Sequence, residues 1–229
     1  MSSKLLIFVL IALVSSKNII LIGDSRTVGI AVYLFGFDYT YAAPYYGTGT
    51  YIVSTSAKSY GGHSVQVACE TGASYATFTN SAKAVSTGAH KLLTSAASGT
   101  IVLLWLGVNN LNSDATFSYY KSLAEKYQNL KFFVIPVTGV SSKSNISNGT
   151  IKTFNDNMNQ KVKSAGLANL KYKTILIGED PTKVGYGGSV NLYIDTSTTD
   201  TYGLHYFVNG YKAIYDSMEI GRASCRERV

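Results

Sequence analysis

The stretch Asn18-Ile-Ile-Leu-Ile-Gly-Asp-Ser-Arg-Thr-Val-Gly29 decides the fold. Ile19–Ile22 are four consecutive large aliphatic residues, with no polar residue among them to face water. A strand of this kind must be covered on both faces, as in a parallel sheet held between two layers of helices. The run stops at Gly23. Asp24 and Ser25 then supply short polar side chains of the type that open helices. Strand, tight polar turn and helix together make the first unit of an α/β chain.

Outward from this unit the same pattern recurs. Ser64–Cys69 (SVQVAC), Thr100–Leu106 (TIVLLWL), Lys131–Val137 (KFFVIPV) and Tyr172–Ile177 (YKTILI) read as four further buried strands. Helical patterns fall between them, over 74–97, 115–128 and 149–165. Tyr211, Ile214, Tyr215 and Met218 form a helical stripe over 209–218. Strand–helix alternation without internal repeat or linker predicts one doubly wound domain, a three-layer α/β/α sandwich on five parallel strands. Residues 35–62 are rich in Tyr, Gly, Ser and Thr and are expected to form surface loops. Tyr33, Tyr39, Tyr41, Tyr45, Tyr46, Tyr51 and Tyr60 are candidates for lining a carbohydrate or acyl site, although loop packing is the commoner use of such residues.

The chain has 229 residues, 46% of them hydrophobic and 14% charged, a balance that excludes a disordered chain or a coiled coil. Its formal charge of +7 is spread over singly placed lysines. Three of the four arginines, Arg222, Arg226 and Arg228, crowd the last eight residues. No basic face emerges, so a nucleic-acid partner is not expected.

Residues 1–16 read as a secretory signal: Lys4, the apolar run Leu5–Val14, then Ser15-Ser16, with a mature start near Lys17. The ten-residue run is short of the roughly 20 needed to cross a bilayer. Residues 219–229 resemble the translation of a common short-read sequencing adapter and are read as a tail without functional content. The body, 17–218, then carries 16 Lys and Arg against 11 Asp and Glu, or +5. It keeps one cysteine, Cys69, so its core must stabilise it without an internal disulfide. A secreted monomer is expected.

Sites in open parallel sheets form beyond the carboxyl ends of the strands. The positions after each strand supply Gly23-Asp24-Ser25-Arg26, Thr71-Gly72-Ala73, Gly107-Val108-Asn109-Asn110 and, near the end of the body, Gly203-Leu204-His205-Tyr206. A serine, a glycine N–H, an asparagine amide and a histidine are the components of acyl transfer. Ser25 is the candidate nucleophile and His205 the base. The Ser25 amide, Gly72 and Asn109 are the candidate oxyanion donors. Each has a plainer alternative: Ser25 as a helix cap, Asn109 as a turn residue, Gly72 as a turn glycine. His63 and His90 are the other histidines. Asp24 is read as a structural acceptor, and Arg26, the body's only arginine, as a surface ion-pair partner.

In these four ordered blocks the chain resembles the GDSL/SGNH hydrolases, a family of serine esterases and lipases, over most of its body. The resemblance implies a flavodoxin-like sandwich, an acyl-enzyme mechanism, no metal and no cofactor. A small-molecule or glycan ester is the expected substrate: the secretory signal and the Tyr-rich loops favour an O-acylated glycan, with a small lipid ester as the alternative. Two positions depart from the family pattern. The third block ends in Asn110 instead of Asp, and the D-x-x-H of the last block has Tyr202 where the acid belongs. Asp200 is the expected triad acid, ahead of Asp195. The departure at Tyr202 also leaves open a catalytically weakened carbohydrate-binding protein on the same fold.

Gly72-Ala73-Ser74-Tyr75-Ala76 approaches the G-x-S-x-G elbow of α/β-hydrolases, but its fifth position is Ala and no HGGG-type motif precedes it. P-loop, H-E-x-x-H, paired C-x-x-C and dinucleotide motifs are absent from the sequence. Asn145-Ile-Ser147 and Asn148-Gly-Thr150 are consecutive N-glycosylation sequons in a polar connection.

Overall fold

The computed structural model of the protein describes residues 16–38, 51–141, 143–173, 204–206 and 208–217. Five parallel strands form its centre: β1 (Asn18–Gly23), β4 (His63–Glu70), β5 (Ile101–Trp105), β6 (Lys131–Val134) and β7 (Leu170–Tyr172), in the order β4-β1-β5-β6-β7. The register places Leu21 beside Val67 on one side and Leu103 on the other. Alternate residues of β1 enter opposite layers. Ile20 and Ile22 pack beneath α2 (Tyr75–Thr79), α3 (Ala84–Ser95), α4 (Ser113–Lys126) and α5 (Asn148–Ala165). Ile19 and Leu21 pack beneath α1 (Ser25–Tyr33) and α6 (Val208–Ser217). The predicted three-layer α/β/α sandwich is what forms.

The sheet is wider than five strands. β2 (Tyr51–Val53) and β3 (Lys58–Tyr60) pair antiparallel with β4, within the region expected to be loops. The sequence signal for this pairing is Gly61-Gly62. Both residues adopt positive φ (58° and 81°), and Tyr60 pairs directly with His63 across them. That is the two-residue primed hairpin turn, which needs residues tolerant of positive φ at both positions.

Other boundaries shift for local reasons. The single helix expected over 74–97 is two, because Asn80 turns its Oδ1 to the Ala82 N–H (3.0 Å) and offers the backbone a non-helical partner. The strand expected over 131–137 ends at Val134, just before Pro136, which has no N–H to give a ladder. β7 begins two residues earlier than expected, and 174–177 lie outside the described residues, as do residues 1–15 and 219–229.

Candidate active site

The strand order reverses at β1: the chain moves from β1 out to β4, then crosses back to β5 on the other side. The crevice beyond the carboxyl ends of β1 and β5 is where such sheets place their sites. Gly23 ends β1 opposite Trp105 of β5, so the first and third sequence blocks leave the sheet side by side.

At the start of α1 the cap is Asp24, not Ser25. Asp24 is extended (φ −93°, ψ −158°) and its Oδ1 accepts the Arg26 N–H at 3.0 Å. Ser25 is thus the first helical residue. Its N–H is among those left without an intrahelical partner, and its hydroxyl is not spent on capping. The capping alternative for Ser25 is thereby removed. Ser74 does open a helix instead: its N–H bonds Thr77 Oγ1 (3.2 Å) at the head of α2.

Arg26 departs most from expectation. Expected on the surface, it is 1% exposed, among the largest fully buried side chains described. Nε donates to Leu204 O (2.9 Å), Nη1 to Thr138 O (2.7 Å) and Thr138 Oγ1 (3.1 Å), and Nη2 to Gly139 O (3.0 Å). Its guanidinium also lies 5.4 Å from the centre of the Tyr206 ring. The planar fork of five donors suits such a cage of carbonyls. The Tyr206 hydroxyl reaches Thr138 Oγ1 (2.7 Å) and Gly139 O (2.6 Å) from the other side.

This cage carries the last block to the first. Arg26 follows Ser25, Leu204 precedes His205, and one hydrogen bond joins Arg26 to Leu204 across 178 positions of sequence. His205 is buried, including its Nε2, and no hydrogen bond joins that atom to Ser25 Oγ. Catalytic hydrogen bonds are often long or poorly aligned before substrate binds. The other histidines stand elsewhere. His63 begins β4 at the opposite edge of the sheet, accepting the Lys17 N–H (3.2 Å), and His90 meets the Tyr127 hydroxyl (3.1 Å) from α3.

Burial pushes the Asp24 carboxyl up to about 6, while the charges of Arg26 and His205 and the Arg26 N–H pull it down. Asp24 therefore lies within electrostatic reach of His205 as well as capping α1. Cys69, beside Gly23 in the register, is fully buried; its thiol is pushed up by burial and by Asp24, which keeps it protonated and unreactive.

The second and third blocks meet through Asn109, whose Nδ2 donates to Ala73 O (3.0 Å). One amide proton thus fixes the side chain across the two loops, leaving the second for another acceptor. Gly72 next door is exposed at φ 72°. Gly107 sits at φ 143°, where a Cβ would press on Val137 and Phe154, so only glycine fits the first position of the third block. Asn110, in the place of the family's Asp, uses Oδ1 on the Asn112 N–H (3.2 Å) and helps turn the chain into α4.

Several expectations lie outside the described residues: Asp195, Asp200, Tyr202, Gly203 and the tyrosines at 39, 41, 45 and 46. Of the described tyrosines, Tyr60 packs on Phe35 and Tyr215, and Tyr33 stacks on Tyr211, so both serve the α1–α6 layer. Among the described residues no group of three or more His, Cys, Asp or Glu is placed to hold a metal ion, and no helix is long and apolar enough to cross a membrane.

No family model matches the chain, and no curated protein does. Solved structures do. A candidate SGNH hydrolase from Slackia heliotrinireducens superimposes with a TM-score of 0.60 at 12% identity, covering 91% of this chain and 100% of its own. A candidate GDSL-like lipase from Parabacteroides merdae gives 0.56 at 10% identity, with coverage of 90% and 96%. An acetylxylan esterase from Geobacillus stearothermophilus gives 0.53 at 14% identity, with coverage of 93% and 97%. The chain has the SGNH hydrolase fold.

Proposed function

We propose that this chain is a secreted ester hydrolase working through an acyl-serine. The observation that carries the reading is the hydrogen bond from Arg26 to Leu204, which ties the His205 segment to the first turn of α1 beside Ser25. Ser25 is released from the capping role that serine usually fills there, and the loop bearing Asn109 leaves the neighbouring strand β5. The fold likeness to esterases and lipases supports it.

In the first step His205 Nε2 takes the Ser25 hydroxyl proton as Oγ bonds to the ester carbonyl carbon. The carbonyl oxygen gains the displaced electron pair and is met by the N–H of Ser25, the N–H of Gly72 and the second amide proton of Asn109. Collapse breaks the bond to the alcohol, which leaves with the proton held on His205. Water then repeats the sequence and releases the acid. The Nδ1 side of His205 requires an acceptor that fixes the tautomer and steadies the imidazolium. Asp200 is assigned that role, and the buried Asp24 adds negative charge nearby.

Half-buried apolar side chains stand next to three of the four blocks: Tyr75 after Gly72, Leu111 after Asn109 and Leu204 before His205. The expected substrate carries a short acyl group on a glycan or small lipid alcohol. The test is a product burst with p-nitrophenyl acetate together with fluorophosphonate labelling. Both should occur in the wild type and vanish in Ser25→Ala. Absence of labelling in the intact wild type overturns the reading and favours a binding protein on this fold.

A further inference from the structure

The hydrogen bonds of Arg26 satisfy a buried guanidinium and at the same time join separate parts of the chain. Its donors are divided between two segments that are remote in sequence: Thr138 and Gly139 after β6, and Leu204 before α6. The first of these segments is itself immobilised. Asn155 exchanges both amide hydrogen bonds with Val137 (2.9 and 2.8 Å), Asn148 does the same with Val140 (2.9 and 3.1 Å), and Trp105 Nε1 holds Pro136 O (3.1 Å). Tyr206, which follows His205, ties its hydroxyl to the same Thr138 and Gly139. His205 is therefore flanked by two residues fastened to one fixed loop, and Arg26 makes the fastening on the Leu204 side.

Resting on the hydrolase reading, we propose that Arg26 is a positioning residue: it sets His205 relative to Ser25 by locking the Leu204 carbonyl and the 138–139 carbonyls to the first turn of α1. Arginine is required, not merely a cation. A lysine at this position has a single nitrogen and cannot reach Leu204 O, Thr138 O and Gly139 O together in the planar pattern seen. The residue touches neither substrate nor the reacting atoms, so its effect must appear in turnover and leave binding alone.

The experiment uses the full chain with Arg26→Lys and Arg26→Ala. It reads kcat and KM for p-nitrophenyl acetate, the rate of fluorophosphonate labelling, and amide hydrogen exchange at 138–139 and 204–206. Arg26→Lys should remain folded, with faster exchange at those two segments and unchanged exchange in β1, β4 and β5. Its kcat should fall on the order of 100-fold, the effect of an ångström-scale misplacement, with KM within about twofold. Added methylguanidinium should restore part of the kcat of Arg26→Ala and none of Ser25→Ala. Wild-type kcat in folded Arg26→Lys, or unchanged exchange at 204–206, overturns the proposal. A wild type without Ser25-dependent hydrolysis overturns the hydrolase reading instead, and the exchange data then decide whether Arg26 braces the segment at all. If Arg26→Ala fails to fold, Arg26→Lys decides alone: loss of its kcat supports the brace and retention refutes it.

Discussion

The loops that follow β5 and β6 leave neighbouring strands at the same edge of the sheet, yet they treat their polar groups in opposite ways. Residues 136–140 are wholly buried, and each carbonyl from Pro136 to Val140 accepts a side-chain donor: Trp105, Asn155, Arg26 twice, then Asn148. In residues 107–110 the turn is closed by the Asn110 N–H on Gly107 O (2.9 Å), and Asn109 and Asn110 stand exposed. A buried loop must satisfy its backbone internally or lose stability. A loop meant to meet a ligand must keep donors at the surface. One loop supplies rigidity and the other is proposed to supply chemistry, and they touch where Gly107 lies against Val137.

The sharpest way to break this contrast is at that contact. Gly107→Ala places a side chain at φ 143°, with its Cβ 2.7 Å from Val137 and 2.8 Å from Phe154. Backbone strain and overpacking together should cost about 4 kcal/mol or more, read as a large drop in the urea midpoint or as failure to fold. A midpoint near wild type shows that the two loops are independent.

Asn109→Ala separates chemistry from rigidity. An exposed side chain whose amide, among the described residues, holds the Ala73 carbonyl should matter little to stability. Removal of an oxyanion donor, by contrast, typically lowers kcat about 100- to 1,000-fold. Equal loss of stability and activity would make Asn109 a fold residue like those of the β6 loop. Asn155→Ala should behave in reverse. It leaves the buried N–H and C=O of Val137 unmet, at about 2 to 4 kcal/mol, and shifts the urea midpoint before it alters KM.

The contrast also explains what is legible in sequence. The five parallel strands, the helices between them and the Ser25, Gly72 and Asn109 blocks follow from apolar runs and from the short residues at their ends, both local features, whereas His205 is singled out from three histidines by the resemblance of its block to the family pattern. The rigid loop is not local. Val-Thr-Gly-Val, 137–140, has no distinctive pattern, because its partners Arg26, Asn148, Asn155 and Tyr206 are supplied by other elements. Arg26 stands out as the body's only arginine, but its burial depends on carbonyls that no composition reveals. The Gly61-Gly62 hairpin does carry a local signal, a glycine pair between residues that alternate, but the Tyr- and Ser-rich stretch around it masks the strands on either side.

Asp24 links the two behaviours, being both helix cap and buried charge near His205. Its folded value of about 6 stands above the ordinary 3.8, so its stabilising effect is full below about 3.8 and is lost as pH rises through about 6. The rise corresponds to about 3 kcal/mol. Asn retains the Oδ1 cap and does not titrate. Relative to wild type, Asp24→Asn should gain up to that amount in stability between about pH 4 and pH 8, measured by chemical denaturation at each pH. A difference that does not vary with pH shows that Asp24 is already ionised without penalty.

The smallest effect concerns the two adjoining sequons, and it tests the same division of labour. Asn148 belongs to the rigid loop: Oδ1 accepts the Val140 N–H and Nδ2 donates to Val140 O. A glycan is attached at Nδ2, so a sugar there would crowd the pairing that fixes the loop. Asn145 is exposed. Secretion from a eukaryotic host should therefore add one glycan, at Asn145. Thr150→Ala, which removes the second sequon without touching the Asn148 amide, should leave the mass of the carbohydrate unchanged. Asn145→Gln should abolish it, with no change in the thermal midpoint of the protein. Carbohydrate persisting in Asn145→Gln would mean that the Val140 end of the loop opens far enough to surrender its asparagine, and the rigid half of the comparison would then stop at Gly139.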